Sequence, residues 1–268
     1  MADEELKAKG NECFRRGKYN AAIECYTQAI DVQASAALYS NRAAAHVKRC
    51  LLEGRDEWSQ VEADCRASVH LDPRGKTAHK AYYNLTMALT KLGQYAPARD
   101  SLASARDLLG DSDSDSTARL EAAAGALRRA EWEAAESQRW TARSETLQRL
   151  QQLVSERGDA SPGATDDEEQ LAQLVAEEEA RRTRDVPDWL CCKITMDIMR
   201  DPVITPDGIS YERQVLLAHL SKSQTDPFTR QPLTIADLRP NLGLKEAAGA
   251  FLKENPWAYP EVQARGLW

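Results

Sequence analysis

No stretch of the chain approaches the roughly eighteen consecutive apolar residues of a membrane-spanning helix. The opening, MADEELKAKGNE, is polar, so neither membrane insertion nor secretion is expected. Basic residues are in the minority: 35 Lys and Arg stand against 42 Asp and Glu, a net charge of −7, which argues against a broad nucleic-acid-binding face. Six cysteines in 268 residues are too sparse for a disulfide scaffold. Cys13, Cys25, Cys50, Cys65, Cys191 and Cys192 therefore read as reduced thiols of a cytoplasmic or nuclear protein. Aromatic residues make up only 6% of the chain while charged residues make up 29%, a balance that suits long solvated helices better than one large core. The length predicts about two compact units.

Proline is scarce where it matters. Of the 11 prolines only Pro73, Pro97 and Pro162 precede Pro187. Proline lacks an amide donor and clashes inside helices, so its scarcity permits long helices up to about residue 185, and its later crowding implies a turn-rich unit. Two polar stretches, 110–116 and 158–167, concentrate Gly, Ser and Asp with almost nothing to bury. The expected organisation is a first domain over 3–109, a charged helical segment over 110–184 and a last domain over 185–262.

The first domain repeats itself. KGNECFRRGKYNAAIECYTQAI, ALYSNRAAAHVKRC with VEADCRASVHLDP, and AYYNLTMALTKLGQYAPARDSLASA each read as helix, turn, helix. Small residues stand where paired helices must approach closely: Gly10, Ala22, Ala29, Ala43, Ser68, Ala98 and Ala105. Aromatic residues fill the spaces between them. This pattern resembles the tetratricopeptide repeat, a period of roughly 34 residues whose helix pairs stack into a concave solenoid. Three repeats are expected. The second carries about six surplus residues, assigned to the turn near Cys50 to Trp58.

Lys7 and Asn11, four residues apart, share one helix face. Asn41 takes the corresponding face of the third helix and Lys80 that of the fifth, with Lys76 one turn earlier; Tyr83 joins the set. These segments resemble the carboxylate clamp of co-chaperone repeat domains. The resemblance implies binding of the acidic C-terminal tail of cytosolic heat-shock chaperones, with Lys7, Asn11, Asn41, Lys80 or Lys76, and Tyr83 around it. Clustered carboxylates call for fixed cationic and amide donors. Whether Lys76 or Lys80 is the clamp lysine stays open. Clamps often place another basic residue where this chain has Asn84.

The middle segment has an apolar seam of Leu120, Leu127, Leu147, Leu150 and Val154, then a shorter stripe of Leu171, Leu174 and Val175. An amphipathic hairpin with so little core must pack on something. A coiled-coil homodimer is the expectation, with packing back on the repeats as the alternative.

The last unit reads loop, hairpin, helix, loop, helix, with Pro206-Asp207-Gly208 as the hairpin turn between Val203-Ile204 and Ile209-Ser210. Helices are expected over Glu212 to Leu220 and Leu244 to Glu254. Asp201-Pro-Val, Ile209-Ser-Tyr, Asp226-Pro-Phe-Thr-Arg230 and Pro240-Asn241-Leu closely resemble the U-box, the metal-free relative of the RING finger. Two tetrahedral zinc sites would need far more ligands than Cys191, Cys192 and His219 supply. Polar and ionic contacts are expected to brace the loops, and no metal or cofactor is called for. The resemblance implies that Ile194 and Met196 in the first loop, with Pro227 and Thr229 in the second, contact a ubiquitin-conjugating enzyme. It further implies that Arg230 is the catalytic residue, orienting the enzyme-bound ubiquitin thioester without a covalent step on the ligase.

Repeats, helical segment and U-box in this order resemble the CHIP-type co-chaperone ubiquitin ligases. The expected fold is mostly α: a three-repeat solenoid, a helical hairpin or coiled coil, and a small RING-like α+β unit. The implied activity is transfer of ubiquitin from a charged conjugating enzyme to misfolded clients of a chaperone. A scaffold with an inactive U-box, and a ligase whose repeats bind something other than a chaperone, are the alternatives.

Overall fold

The computed structural model describes residues 2–109, 114–157 and 184–259, together with the single position Gln173. The chain is mostly helical and divides into two compact units, the second running Trp132–Ala258 and the first comprising the chain before it and Tyr259 after it. The expected stripe of Leu171, Leu174 and Val175, the polar stretch 158–167 and the domain limits near 110 and 262 lie outside the described residues.

The first unit is built from three helix pairs: α1 (Ala2–Arg15) with α2 (Tyr19–Val32), α3 (Ala36–Glu53) with α4 (Trp58–Leu71), and α5 (Ala78–Lys91) with α6 (Tyr95–Leu109). The small residues do what their spacing promised. Ala22, Ala29, Ala43, Ala98 and Ala105 are all 0% exposed, and Ser68 Oγ donates to the Ala36 carbonyl at 2.8 Å. A Cβ on Gly10 would stand 2.6 Å from the Tyr26 ring, so only glycine lets α1 and α2 close over that aromatic.

The surplus of the second repeat is divided in two. Part of it lengthens α3, which runs 18 residues before Gly54 ends it with φ 65° in the left-handed region. The rest forms the loop to Glu57, whose carboxylate holds His46 Nδ1 at 2.6 Å and Arg49 Nη2 at 2.9 Å.

A long helix, α7 (Ser114–Arg157), follows. Its first half packs on the repeats, as one of the two sequence expectations has it: Leu120, Ala123 and Leu127 are buried in the same cluster as Tyr83, Leu89, Ala98 and Ala105. Arg99–Glu131 and Arg106–Glu121 ion pairs, both at 2.6 Å, tie α6 to α7. Tyr259 rests on α7 where Gly125 leaves room, and its hydroxyl accepts from Arg128 at 2.7 Å. Leu150 and Leu153, in the far half, are 41% and 59% exposed.

In the second unit the Arg184 guanidinium stacks 4.2 Å over Trp132 and bonds Glu136 at 3.0 Å. Beyond a short 3-10 turn (Asp188–Leu190), β1 (Pro202–Ile204) and β2 (Ser210–Glu212) form an antiparallel hairpin with Val203 opposite Tyr211. The Thr205–Gly208 turn closes with Gly208 at φ 80°. Helix α8 (Arg213–Leu220), a second loop, a two-residue strand β3 (Arg239–Pro240) and α9 (Leu242–Glu254) complete the unit. The sheet order is β2-β1-β3, and β3 has no period-2 signature in the sequence. Cys192, Met199, Val203, Tyr211, Leu216, Leu220, Leu233 and Leu238 form the core.

Candidate functional site

Two sites emerge, one in each unit. In the first, α1, α3 and α5 bring Asn11, Asn41, Lys80 and Asn84 to the wall of one cavity of about 230 Å³, beside Phe14, Tyr26 and Ala44. The amides are oriented by a short chain of bonds. Asn11 Oδ1 accepts from the Tyr26 hydroxyl at 2.8 Å and from Asn41 Nδ2 at 3.1 Å. With its carbonyl doubly engaged, Asn11 has only its Nδ2 donor left for a ligand. Burial, with smaller contributions from Cys13 and Cys25, pushes the Tyr26 phenol up to about 12, so it stays protonated and keeps donating near neutral pH.

The residues expected around a clamp separate here. Asn11, Asn41 and Lys80 meet at the cavity. Lys7 lies one turn before Asn11 and is not among the lining residues; its Nζ is 3.2 Å from Glu4. Lys76 is exposed in the loop before α5, so the geometry favours Lys80 of the two lysines left open. Tyr83 is a correction: it packs in the core cluster with Ala43, Leu89 and Leu127 and is not among the residues that line the cavity. One aromatic of the Tyr82-Tyr83 pair had to face inward, and helical phase alone does not say which. Phe14, Arg15, Tyr26, Ser40 and Ala44 were missed as wall residues. Phe14 and Ala44 were findable, because each is three positions from a groove asparagine and so on the same face.

In the second unit, two loops prove to be copies of one shape. Cys192-Lys193-Ile194-Thr195-Met196-Asp197 and Asp226-Pro227-Phe228-Thr229-Arg230-Gln231 match position by position. The first is closed by the Cys191–Ile198 bridge and the second by Thr225–Pro232. Cys192 N–H donates to the Asp197 carbonyl and Asp226 N–H to that of Gln231, both at 2.8 Å. Thr195 and Thr229 hydroxyls each accept the amide two residues on, both at 3.4 Å. Met196 and Arg230 occupy the same position with φ 62° and 61°, a left-handed backbone that side-chain-bearing residues adopt at a cost of about 1–2 kcal/mol.

At the loop tips Ile194 is 40%, Met196 67% and Phe228 71% exposed. Pro227 and Thr229 are half-buried and Arg230 exposed. Thr229 is committed locally, its hydroxyl donating to Asp207 of the hairpin turn at 2.6 Å. Phe228, missed from sequence, is the counterpart of Ile194; the two loops repeat a backbone shape and share only Thr195 and Thr229 in sequence, so the repeat shows in the structure alone.

Polar groups brace this shape, as expected. Asp226, 1% exposed, accepts the Tyr211 hydroxyl at 2.8 Å and the Phe228 and Thr229 amides at 2.8 and 2.9 Å. Burial pushes its carboxyl up, but the hydrogen bonds outweigh that and hold it below the usual carboxylate range. The same phenol is pushed up, first by burial and then by the Asp226 bond. Asp201 grips Arg213 at 2.6 Å and Lys245 at 3.0 Å, and Glu212 accepts the Arg200 amide at 2.7 Å. His219 meets the Thr225 carbonyl at 3.0 Å, a structural contact at the base of the second loop. Cys191 and Cys192 are buried, and burial raises the Cys191 thiol, which is unsuited to nucleophilic work. Among the described residues, no group of three or more His, Cys, Asp and Glu side chains is placed to hold a metal ion.

A loop, hairpin and helix unit of this geometry, in a chain that also carries a repeat array, defines a U-box ubiquitin ligase. Residues 186–257 match the U-box domain family and residues 10–49 the TPR repeat. E3 ubiquitin-protein ligase CHIP of Arabidopsis thaliana is 36% identical over 96% of this chain and 95% of its own length. Ubiquitin conjugation factor E4 of Schizosaccharomyces pombe is 46% identical over 26% of this chain and 7% of its own. Among solved structures, the TPR2B-domain:pHsp70-complex of yeast Sti1 is 29% identical over 47% of this chain and 96% of that one, with a TM-score of 0.40. The chain belongs to the CHIP family of E3 ubiquitin-protein ligases, enzymes of the U-box type.

Proposed function

We propose that the groove of the first unit seats the acidic C-terminal tail of a cytosolic heat-shock chaperone, and that the two-loop surface holds a ubiquitin-charged conjugating enzyme, so that misfolded clients of the chaperone are ubiquitinated. The observation that carries the groove assignment is the convergence of Asn11, Asn41 and Lys80 on one cavity. A terminal carboxylate is an acceptor-only anion, and a lysine cation beside two amides of set orientation is a matching donor array. Phe14 and Ala44 give an apolar wall for the side chains that follow.

On the second unit, Ile194, Met196 and Pro227, joined by Phe228, make a small apolar seat whose backbone is held from below by Asp226 and His219. Thr229 shapes that seat. Arg230 projects from the left-handed position of the second loop, where a guanidinium can bridge conjugating enzyme and ubiquitin. It acts by orientation and charge complementarity rather than by a covalent step. A homodimer through the far half of α7 and a cytoplasmic setting complete the reading. The exposed Leu150 and Leu153 support the first.

The test is titration calorimetry of the full chain with an acidic peptide ending in Glu-Glu-Val-Asp. Micromolar binding, about −8 kcal/mol, is expected. Lys80→Ala or amidation of the terminal carboxylate should each remove about 1.5–3 kcal/mol. Equal affinity for the free and amidated peptides would overturn the groove assignment.

A further inference from the structure

Beside the donor array, Arg15, Ser40 and Asn84 also line the groove, and of these Asn84 has no hydrogen-bond partner for its side chain among the described residues. Asn84 lies on α5 one turn beyond Lys80 and lines the same cavity. It is 1% exposed. Neither its Oδ1 nor its Nδ2 has a hydrogen-bond partner among the described residues. A buried carboxamide left this way destabilises the free protein, because both its ends were hydrated in the unfolded chain. The side chain is therefore suited to a ligand and not to the fold.

The chemistry of the missing partner follows from what Asn84 offers, one donor group and one acceptor. A carboxylate supplies acceptors only and would leave Oδ1 facing negative charge. A main-chain amide unit, with N–H and C=O on one edge of an extended peptide, satisfies both ends at once. The distance agrees. Four residues of helix advance about 6 Å, and an extended peptide advances about 3.3 Å per residue. A peptide laid along α5 with its terminal carboxylate held near Lys80 would thus present a peptide bond one or two residues from its end to Asn84.

We infer that Asn84 is a specificity-determining residue of the groove, which reads a main-chain amide unit of the docked peptide rather than a carboxylate. This rests on the peptide-groove reading above. The arrangement makes the groove less dependent on ligand charge than one with a second cation at this position. It also makes the groove more demanding of an extended backbone next to the terminus.

The experiment is calorimetry with the full chain and a set of acidic peptides ending in a free carboxylate. In each peptide one backbone N–H is replaced by an ester oxygen. One ester, at the first or second peptide bond from the end, is expected to weaken binding to the unaltered protein roughly tenfold. Asn84→Leu should bind the all-amide peptide roughly tenfold more weakly, ignore that ester, and melt no lower than the parent. An unchanged affinity in Asn84→Leu, with or without a lower melting temperature, would overturn the inference. So would a coupling of residue 84 to amidation of the terminus, since that would assign Asn84 to the carboxylate. Failure of the unaltered protein to bind any member of the set would instead overturn the groove reading beneath it.

Discussion

Asp226 illustrates how much a single buried carboxylate organises. It is nearly inaccessible, yet three donors from Tyr211, Phe228 and Thr229 make ionisation cheaper there than in water. All three bond Oδ1, so Asp226→Asn can keep a carbonyl oxygen toward them, but it exchanges a charged acceptor for a neutral one and buries an NH2 group where Oδ2 has no partner among the described residues. We expect a loss of about 1–3 kcal/mol in stability of the second unit, read by urea unfolding. The sign of the pH dependence follows from the lowered folded values of Asp226 and Asp201. Their contribution is complete above the ordinary carboxylate value and is lost as pH falls through the lowered folded values. Stability of this unit should therefore begin to fall as pH drops through the ordinary carboxylate range and level off only below the lowered folded values, and Asp226→Asn should flatten that acid limb. Arg230 belongs to the other kind of residue, one whose work lies outside the fold. Arg230→Ala should leave conjugating-enzyme binding near its parent value and slow single-turnover ubiquitin discharge by roughly tenfold or more. Full discharge activity in that variant would remove the role given to the arginine.

At the scale of elements, α7 does two different jobs along one helix. Its first half completes the repeat core: Leu127 is 2% exposed, and Leu127→Ala should cost about 2–5 kcal/mol of stability, measured by chemical unfolding of the first unit. Its far half carries exposed leucines. If that half is a dimer seam, Leu153→Ala should hardly change unfolding at high dilution, yet shift the monomer–dimer equilibrium toward monomer in sedimentation equilibrium. A chain that is monomeric at all concentrations would refute the dimer. The sequence pattern showed both halves as one apolar seam, because a heptad-like spacing records that a helix has an apolar face and not what covers it. The two copied loops teach the same lesson. Their shared shape comes from backbone bonds across each loop, and side-chain identities differ at nearly every matched position except Thr195 and Thr229.

For the whole molecule, the two sites should respond separately to substitution. Ile194→Ala should abolish most ubiquitin transfer by weakening recruitment of the conjugating enzyme, since a small interface depends on a few apolar anchors. It should leave the affinity for an acidic tail peptide unchanged. Lys80→Ala should do the reverse, retaining self-ubiquitination while losing modification of a chaperone-held client. Both are measured on the same preparation by calorimetry and a transfer assay.

Much of this architecture was legible residue by residue. The small-residue spacing of the repeats, the Pro206-Asp207-Gly208 turn and the Asp226-Pro227-Phe228-Thr229-Arg230 run all express local rules: close helix approach, turn geometry and short-range hydrogen bonding act between neighbours in the chain. Long-range placement was not legible. That Tyr83 turns into the core while Asn84 turns to the cavity, that the surplus of the second repeat lengthens α3 as well as its loop, and that half of α7 is buried were each decided by packing. Helical phase narrows a side chain's direction only to within about a quarter turn, and the last choice belongs to the volume available between helices. The sequence alone determined the helices, the hairpin and the chemistry they carry; only the tertiary structure decided the pairing of β3 and which side chains face one another, because burial and strand pairing depend on neighbours that are distant in the chain.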